Sequence, residues 1–210
     1  MIKFIQKLKR KENLSFEDSQ KIFNEIMEDN LGLETIKEIL IGLKEKGETF
    51  EEIAGASQVI LNKAKKFPAI DYEYGDIVGT GGDKSNLINV STLSSFVGAS
   101  CGLKLAKHGN RSVSSKCGSF DLLEQMGISI DKDPESLKAG LDKDGLCFLY
   151  APFFHPSFRF VAPVRKELKT RSIFNILGPL VNPARPTYQL MGVYTPELLR
   201  PMAKASMRLG

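Results

Sequence analysis

The stretch "DIVGTGGDKSNLINVSTL", Asp76 to Leu93, has the residue types of an anion cradle. It opens apolar, turns through Gly79, Thr80, Gly81 and Gly82, and ends in Asp83, Asn89, Ser91 and Thr92. Glycines permit positive φ and let an anionic ligand approach the backbone. Successive N–H groups in such a turn form an anion nest. Hydroxyls and free N–H groups at the start of the following helical pattern, "TLSSFVGASCG", favour phosphate. Asp83 beside an anion site makes sense with a divalent cation between them, since hard Mg²⁺ takes carboxylate, hydroxyl and phosphate oxygens. A plain glycine turn followed by an ordinary helix cap is the competing reading. The spacing fits neither the dinucleotide fingerprint nor the P-loop, because the Gly-Lys-Ser/Thr ending is missing.

Two further stretches have chemistry in them. "KHGNRSVSSKCGSFDLLEQMG" follows the apolar "LKLA" and sets Lys107, His108, Asn110 and Arg111 at a strand end, with Ser114, Ser115 and Ser119 behind them. Ligands of open α/β sheets bind outside the carboxyl ends of strands. Two cations and several hydroxyls there suit a phosphorylated sugar; a basic surface loop is the alternative. "APFFHPSFRFVAPVRKELKTRSIFNILGPLVNPA" is aromatic and proline-rich, and is punctuated by Arg159, Arg165 and Arg171. An apolar slot with one guanidinium binds a flat aromatic carboxylate through a bidentate fork. A surface salt bridge is the alternative for any one of these arginines.

The elements that must carry these stretches change character along the chain. "LSFEDSQKIFNEIMED" puts Phe16, Ile22, Phe23, Ile26 and Met27 near helical spacing with Ser15 as cap. "LETIKEILIGLKEKGET" puts Ile36, Ile39, Leu40 and Leu43 on one face with Gly47 as a stop. Thr49 and Glu52 form a capping-box pattern for a third helix running toward Lys66. Such stripes pack on each other, on the rest of the chain or on a second subunit. From about Tyr72, the candidate strands "DIVG", "LKLAKHG", "LCFLYAP" and "YQLMGVY" alternate with helical patterns. Among those patterns are "SFDLLEQMG", "DPESLKAGLDKDG", "FRFVAPVRKELK" and "TPELLRPMAKASMRLG", the last capped by Thr195 with Pro196 at its first position. Alternation of β and α predicts a mostly parallel sheet flanked by helices. The expected fold is α/β: a helical domain over residues 1–70 and an α/β domain over 71–210.

Composition narrows the function. The 210 residues carry 29 basic and 25 acidic side chains, a net charge of +4, too mild to imply a nucleic-acid partner. No apolar run approaches the ~18 residues of a membrane span. Cys101, Cys117 and Cys147 are far apart and form neither a metal spacing nor a disulfide framework, which points to a reducing cytoplasm. With only His108 and His155, a His-rich zinc site is excluded. The basic start "MIKFIQKLKRKENLS" lacks the apolar core of a signal peptide and reads as a first helix; a mitochondrial-type leader, which favours Arg over Lys, is the alternative.

Taken together, "GTGGD…NVST", "KHGNR.VSS..GS.D.LE..G" and "RSIFNILGPLVNP" resemble the anthranilate phosphoribosyltransferase family of tryptophan biosynthesis, with Ser172 where the family motif has Thr. The resemblance covers the whole chain and implies a nucleoside phosphorylase/phosphoribosyltransferase-like fold. It implies that Gly79, Gly82, Asp83, Leu87, Asn89, Val90, Ser91 and Thr92 form the phosphoribosyl pyrophosphate motif, with Ser91 helping to ligate Mg²⁺. It implies that Lys107, His108, Gly109, Asn110, Arg111, Ser112, Val113, Ser114 and Ser115 wrap the same substrate, and that Ser119 adds a contact. Asn110 and Arg165 match positions that contact anthranilate, Gly79 lies between the two substrates, and His108, His155 and Pro179 match positions lining the acceptor channel. Mg²⁺, the glycine-turn N–H groups and Lys107 would neutralise the leaving pyrophosphate. No side chain is assigned as acid or base. The family implies a homodimer formed through the helical domain, with no membrane and no nucleic acid.

Two departures from the pattern stand out. Leu87 occupies a position where the family usually has Thr or Ser, and a lost side-chain hydrogen bond typically removes about 0.5–1.5 kcal/mol. Family members are also considerably longer, and carry an adjacent Asp-Glu pair for Mg²⁺ beyond the position of Gly210. Glu17-Asp18 and Glu28-Asp29 fall in the helical region and read as solvated faces. The chain is therefore expected to be the N-terminal part of a longer enzyme or a truncated product, with an incomplete sheet and little activity alone. The alternatives are an inactive fragment, a nucleoside-phosphorylase-like relative with another acceptor, and a nucleic-acid-binding relative.

Overall fold

The computed structural model describes residues 1–81, 88–111, 117–130 and 133–210. Of the candidate residues, Gly82, Asp83, Leu87, Ser112, Val113, Ser114 and Ser115 lie outside the described residues. In chain order the elements are α1 (Ile2–Lys9), α2 (Phe16–Met27), α3 (Leu33–Lys46), α4 (Phe50–Asn62), β1 (Gly75–Gly79), α5 (Val90–Ser100), β2 (Leu105–Gly109), α6 (Ser119–Gln125), α7 (Pro134–Asp144), β3 (Leu146–Tyr150), α8 (Ala151–Phe154), α9 (Ala162–Leu168), β4 (Tyr188–Gly192) and α10 (Leu199–Leu209). They gather into two compact units. The first comprises Met1–Lys63, His155–Val181 and Thr195–Gly210; the second comprises Ala64–Phe154 and Asn182–Tyr194. A division at residue 70 would instead leave His155–Val181 and Thr195–Gly210 with the sheet.

The helical unit forms because each stripe finds a partner. Ile22, Phe23, Ile26 and Met27 of α2 are buried, as are Ile36, Ile39, Leu40 and Leu43 of α3. Ser15 accepts the Asp18 amide as the cap of α2, Gly47 ends α3 at φ 86°, and Thr49 with Glu52 closes the capping box of α4. Helices α2 and α4 approach closely at Gly55, where a Cβ would come within 2.5 Å of the Phe16 carbonyl oxygen. α10 packs on α4 and buries Met202 and Ala205, one helical turn apart.

One buried ion pair ties this unit together. Lys46 Nζ lies 2.9 Å from Glu52 Oε2, with the two side chains 3% and 0% exposed. Glu52 Oε1 accepts the Leu14 amide (2.8 Å), Oε2 accepts the Thr49 amide (2.8 Å), and Lys46 also donates to Asn13 Oδ1 (3.1 Å) and the Gly47 carbonyl (2.7 Å). The carboxylate thus joins the α1–α2 connection, the end of α3 and the start of α4.

The second unit is a parallel sheet in the order β3-β2-β1-β4. Pleating sends alternate side chains to opposite faces. Cys147 and Leu149 join Ala106, Leu137 and Leu141 on one face, while Phe148 joins Phe120, Leu123 and Ile130 on the other. This is the parallel sheet flanked by helices that the sequence predicts. β4 lies at one edge of the described sheet, with Leu190 68% exposed. Two elements differ from expectation. "LCFLYAP" stops being strand at Tyr150 and turns into α8, and "FRFVAPVRKELK" is split into a 3-10 turn (Pro156–Phe160) and α9, which Pro163 opens because its missing N–H is tolerated in a first turn. Among the described residues no helix is long and apolar enough to cross a membrane.

Glu52→Ala is expected to lower the unfolding free energy of the helical unit by about 3–5 kcal/mol, because it strands a buried ammonium. Chemical denaturation followed by circular dichroism checks this; a loss below about 1 kcal/mol, the scale of an ordinary exposed pair, would contradict it.

Candidate functional site

The first candidate turn is rooted on both sides. β1 ends at Gly79; the Thr80 amide then donates to the Gly192 carbonyl (2.9 Å), and Thr80 Oγ1 accepts the Tyr194 amide (2.9 Å). Beyond the turn, Asn89 occupies the N-cap position of α5, but its side chain makes no cap. Its Nδ2 donates instead to the Gly118 carbonyl (3.2 Å), at the start of α6. Ser119 Oγ donates back to the Asn110 carbonyl (3.0 Å), just past β2. Gly109 is needed here, since a Cβ would lie 2.5 Å from Ser119 Oγ and 3.2 Å from the Phe120 ring. The structure therefore brings Gly79, Asn89, Asn110 and Ser119 to one end of the sheet. Thr92 is buried, Ser91 is half-buried, Val90 is exposed, and Arg111 is ion-paired with Glu124.

Between these turns the sheet opens. β1 pairs with β4, and β2 with β3, over five residues each, whereas among the described residues β1 and β2 pair only at Gly75↔Leu105. The Gly75 amide donates to the Lys104 carbonyl (2.8 Å), and the parallel pattern would next give Ala106 O to the Ile77 amide and Ile77 O to the His108 amide. Side chains take those places. Asn182 Nδ2 donates to Ala106 O (2.9 Å) and to Asp76 Oδ2 (2.9 Å); Lys107 Nζ donates to Ile77 O (2.8 Å); and the Asp76 carboxylate faces the His108 amide. Gln189 Nε2 reaches Asp76 Oδ2 at 3.5 Å. Burial pushes the Asp76 carboxyl above its ordinary value and the Lys107 amine below its own, and the opposite charge of each partner acts against both shifts. Lys107, which the sequence reading sends to the pyrophosphate, is 4% exposed with its ammonium on the backbone of β1.

His108 is buried on β2, and the other candidates, His155, Arg165 and Pro179, lie in the helical unit. His155 is buried; its Nε2 lies 2.9 Å from the Val181 carbonyl, to which an Nε2–H donates, and its ring stacks on Phe158 (5.0 Å, 24°). Phe158 meets Phe174 edge-on (5.9 Å), and the Arg165 guanidinium sits over Phe174 at 5.6 Å. Burial lowers the Arg165 pKa, and among the described residues no carboxylate counteracts it. A half-buried guanidinium backed by an aromatic face is suited to a planar carboxylate ligand. Pro179 is buried in the 3-10 turn Gly178–Leu180, just before Val181.

Comparison with known proteins places this architecture. Residues 71–210 match a family model described as the glycosyl transferase family, a/b domain, and residues 2–64 match the glycosyl transferase family, helical bundle domain. The chain belongs to this glycosyl transferase family. It is similar to the anthranilate phosphoribosyltransferase of Aeromonas salmonicida (strain A449), with 56% identity over 199 residues, covering 95% of this chain and 59% of that protein. It is also similar to the crystal structure of anthranilate phosphoribosyltransferase from Thermus thermophilus, with a TM-score of 0.92 and 40% identity over 99% of this chain and 63% of the other. The Saccharomyces cerevisiae enzyme in complex with PRPP and Mg matches with a TM-score of 0.90 and 28% identity, covering 99% and 62%. The chain spans about three fifths of the length of the curated relatives it matches.

Sequence reasoning missed Asp76, Asn182, Phe158 and Phe174. Asp76 heads the glycine stretch as an acid in an apolar run, and that was the available signal. Asn182 stands 106 residues from its partner, and only the fold joins them.

Burial drives the His155 pKa down to about 4, against the Val181 and Ile60 carbonyls, which favour the charged ring. The unfolded ring titrates near ~6.5, so its contribution to stability is whole above that pH and drains as pH falls toward the folded pKa. In an NMR titration, the His155 ring resonances are expected to stay those of the neutral imidazole at pH 5 and move near about pH 4. A midpoint close to that of an unperturbed histidine would contradict the buried placement.

Proposed function

We propose that this chain binds phosphoribosyl pyrophosphate at the turns following β1 and β2 and carries acceptor residues for anthranilate, in an enzyme that transfers the phosphoribosyl group to the anthranilate amine. The observation that carries this reading is that Gly79 and Gly109 end neighbouring parallel strands, with Asn89, Gly118, Ser119 and Asn110 joined by hydrogen bonds just beyond the end of β2. The likeness to anthranilate phosphoribosyltransferases, one of them holding PRPP and Mg, supports it. Self-association as a homodimer through residues 1–70 belongs to the same reading.

The chemistry follows from the groups present. The neutral amine nitrogen attacks C1 of the ribose as the bond from C1 to the pyrophosphate oxygen breaks, through an oxocarbenium-like transition state. Both bonding electrons of the broken bond leave with pyrophosphate, and the new ammonium sheds its proton afterwards, so no strong base is required. Catalysis then rests on positioning and on stabilising the leaving anion. Among the described residues no group of three or more His, Cys, Asp or Glu could hold a metal ion. Ser91, in the first turn of α5, offers one hydroxyl, and Mg²⁺ would be held by it together with donor phosphate oxygens. When bound, the ion neutralises charge on the leaving pyrophosphate. Arg165 orients the acceptor by its carboxylate.

Arg165→Ala is expected to weaken anthranilate binding by roughly 10–100-fold, the scale of a charge-assisted hydrogen bond, with donor affinity unchanged. Fluorescence titration of anthranilate checks this without requiring turnover. Unchanged anthranilate affinity would remove the acceptor assignment.

A further inference from the structure

The half-buried Arg165 guanidinium is held by a ring rather than by an acid. Among the described residues it has no hydrogen bond or ion pair; its partner is the Phe174 ring, 5.6 Å away. A guanidinium carries its N–H donors in a planar fork. A carboxylate partner would orient the group and use up part of that fork. An aromatic face orients it through the ring quadrupole and leaves the N–H donors free.

The ring itself has little freedom. Phe174 is 7% exposed, packs against Phe23 of α2 (5.8 Å, 56°) and meets Phe158 edge-on (5.9 Å). Its turn, Ile173–Asn175, is closed by Asn175 Oδ1, which accepts the Ser172 amide (3.0 Å). The helix that carries Arg165 is fastened separately. Lys37 of α3 pairs with Glu167 of α9, and Lys44 Nζ donates to Thr170 Oγ1 (2.6 Å) just past the end of α9. Ring and guanidinium thus meet from two anchored segments of the helical unit.

We propose that Phe174 is a positioning residue for the acceptor. Its ring holds the Arg165 fork open, so that selectivity for arylamines bearing a carboxylate depends on a side chain that acts through Arg165. The role in acceptor selection rests on the functional reading above; the placing of the guanidinium by the ring does not.

NMR of the full chain without ligand tests the placement. A proton held over a ring face is shielded, so the Arg165 Nε–H proton is expected upfield of those of exposed arginines. Phe174→Leu keeps an apolar side chain and removes the face, and is expected to return that resonance to their position. An Arg165 proton already among the exposed ones in the parent overturns the proposal. Binding is read by anthranilate fluorescence. Phe174→Leu is expected to weaken anthranilate binding by about three- to tenfold, the scale of a cation–π contact. Replacement of Phe174 by pentafluorophenylalanine keeps the shape of the ring and reverses the charge of its face, and the same loss is expected even where Leu unfolds the unit. In the Arg165→Ala background, either replacement is expected to change affinity by less than about twofold, because the two side chains act as one unit. Equal losses with and without Arg165, or full affinity with the fluorinated ring, overturn the proposal. A parent chain that does not bind anthranilate defeats the acceptor reading, and the resonance still decides the placement.

Discussion

Two parallel strands that part after one rung leave backbone groups that must be satisfied inside a sheet, away from water. An unpaired buried carbonyl or amide costs on the order of 1–3 kcal/mol. Asn182 and Lys107 supply donors where the ladder would have supplied them, and Asp76 supplies the acceptor and the counter-charge. Gly79 ends one of these strands and Gly109 the other, so the cluster lies between the two strand ends. A continuous ladder would hold the strands a fixed ~4.8 Å apart. Here side-chain hydrogen bonds stand in for the ladder between β1 and β2.

The helical unit solves a related problem with different parts. Its helices are short, and amphipathic helices of this length depend on tertiary packing for stability. The buried Lys46–Glu52 pair and its amide partners join the helix ends that packing alone leaves loose. The aromatic run Phe158–Phe174 gives Arg165 a backing, while no described carboxylate offsets its charge. That arrangement suits an anionic, planar ligand better than a structural ion pair.

Much of the fold was legible because it rests on local signals. Ser15, Thr49 and Glu52 cap where their spacing predicts, Ile36, Ile39, Leu40 and Leu43 fill one face, and the four apolar runs form the four described strands. Boundaries slipped where Pro152 and Pro163 reset the backbone. Gly79, Asn89, Asn110 and Ser119 could be read as site candidates because glycines, amides and hydroxyls at a strand end have a direct chemical meaning. The burial of Lys107 could not be read this way, because only the fold brings its ammonium to Ile77 O on the neighbouring strand. Likewise, nothing local marks Asn182 as the partner of Asp76, since the fold alone closes that distance.

The central claim is that the turns after β1 and β2 hold a pyrophosphate-bearing donor with Mg²⁺. Isothermal titration calorimetry of phosphoribosyl pyrophosphate into the chain, with and without Mg²⁺, tests it most directly. The account predicts saturable one-to-one binding that weakens when Mg²⁺ is removed. Absence of binding, or affinity indifferent to Mg²⁺, would contradict it.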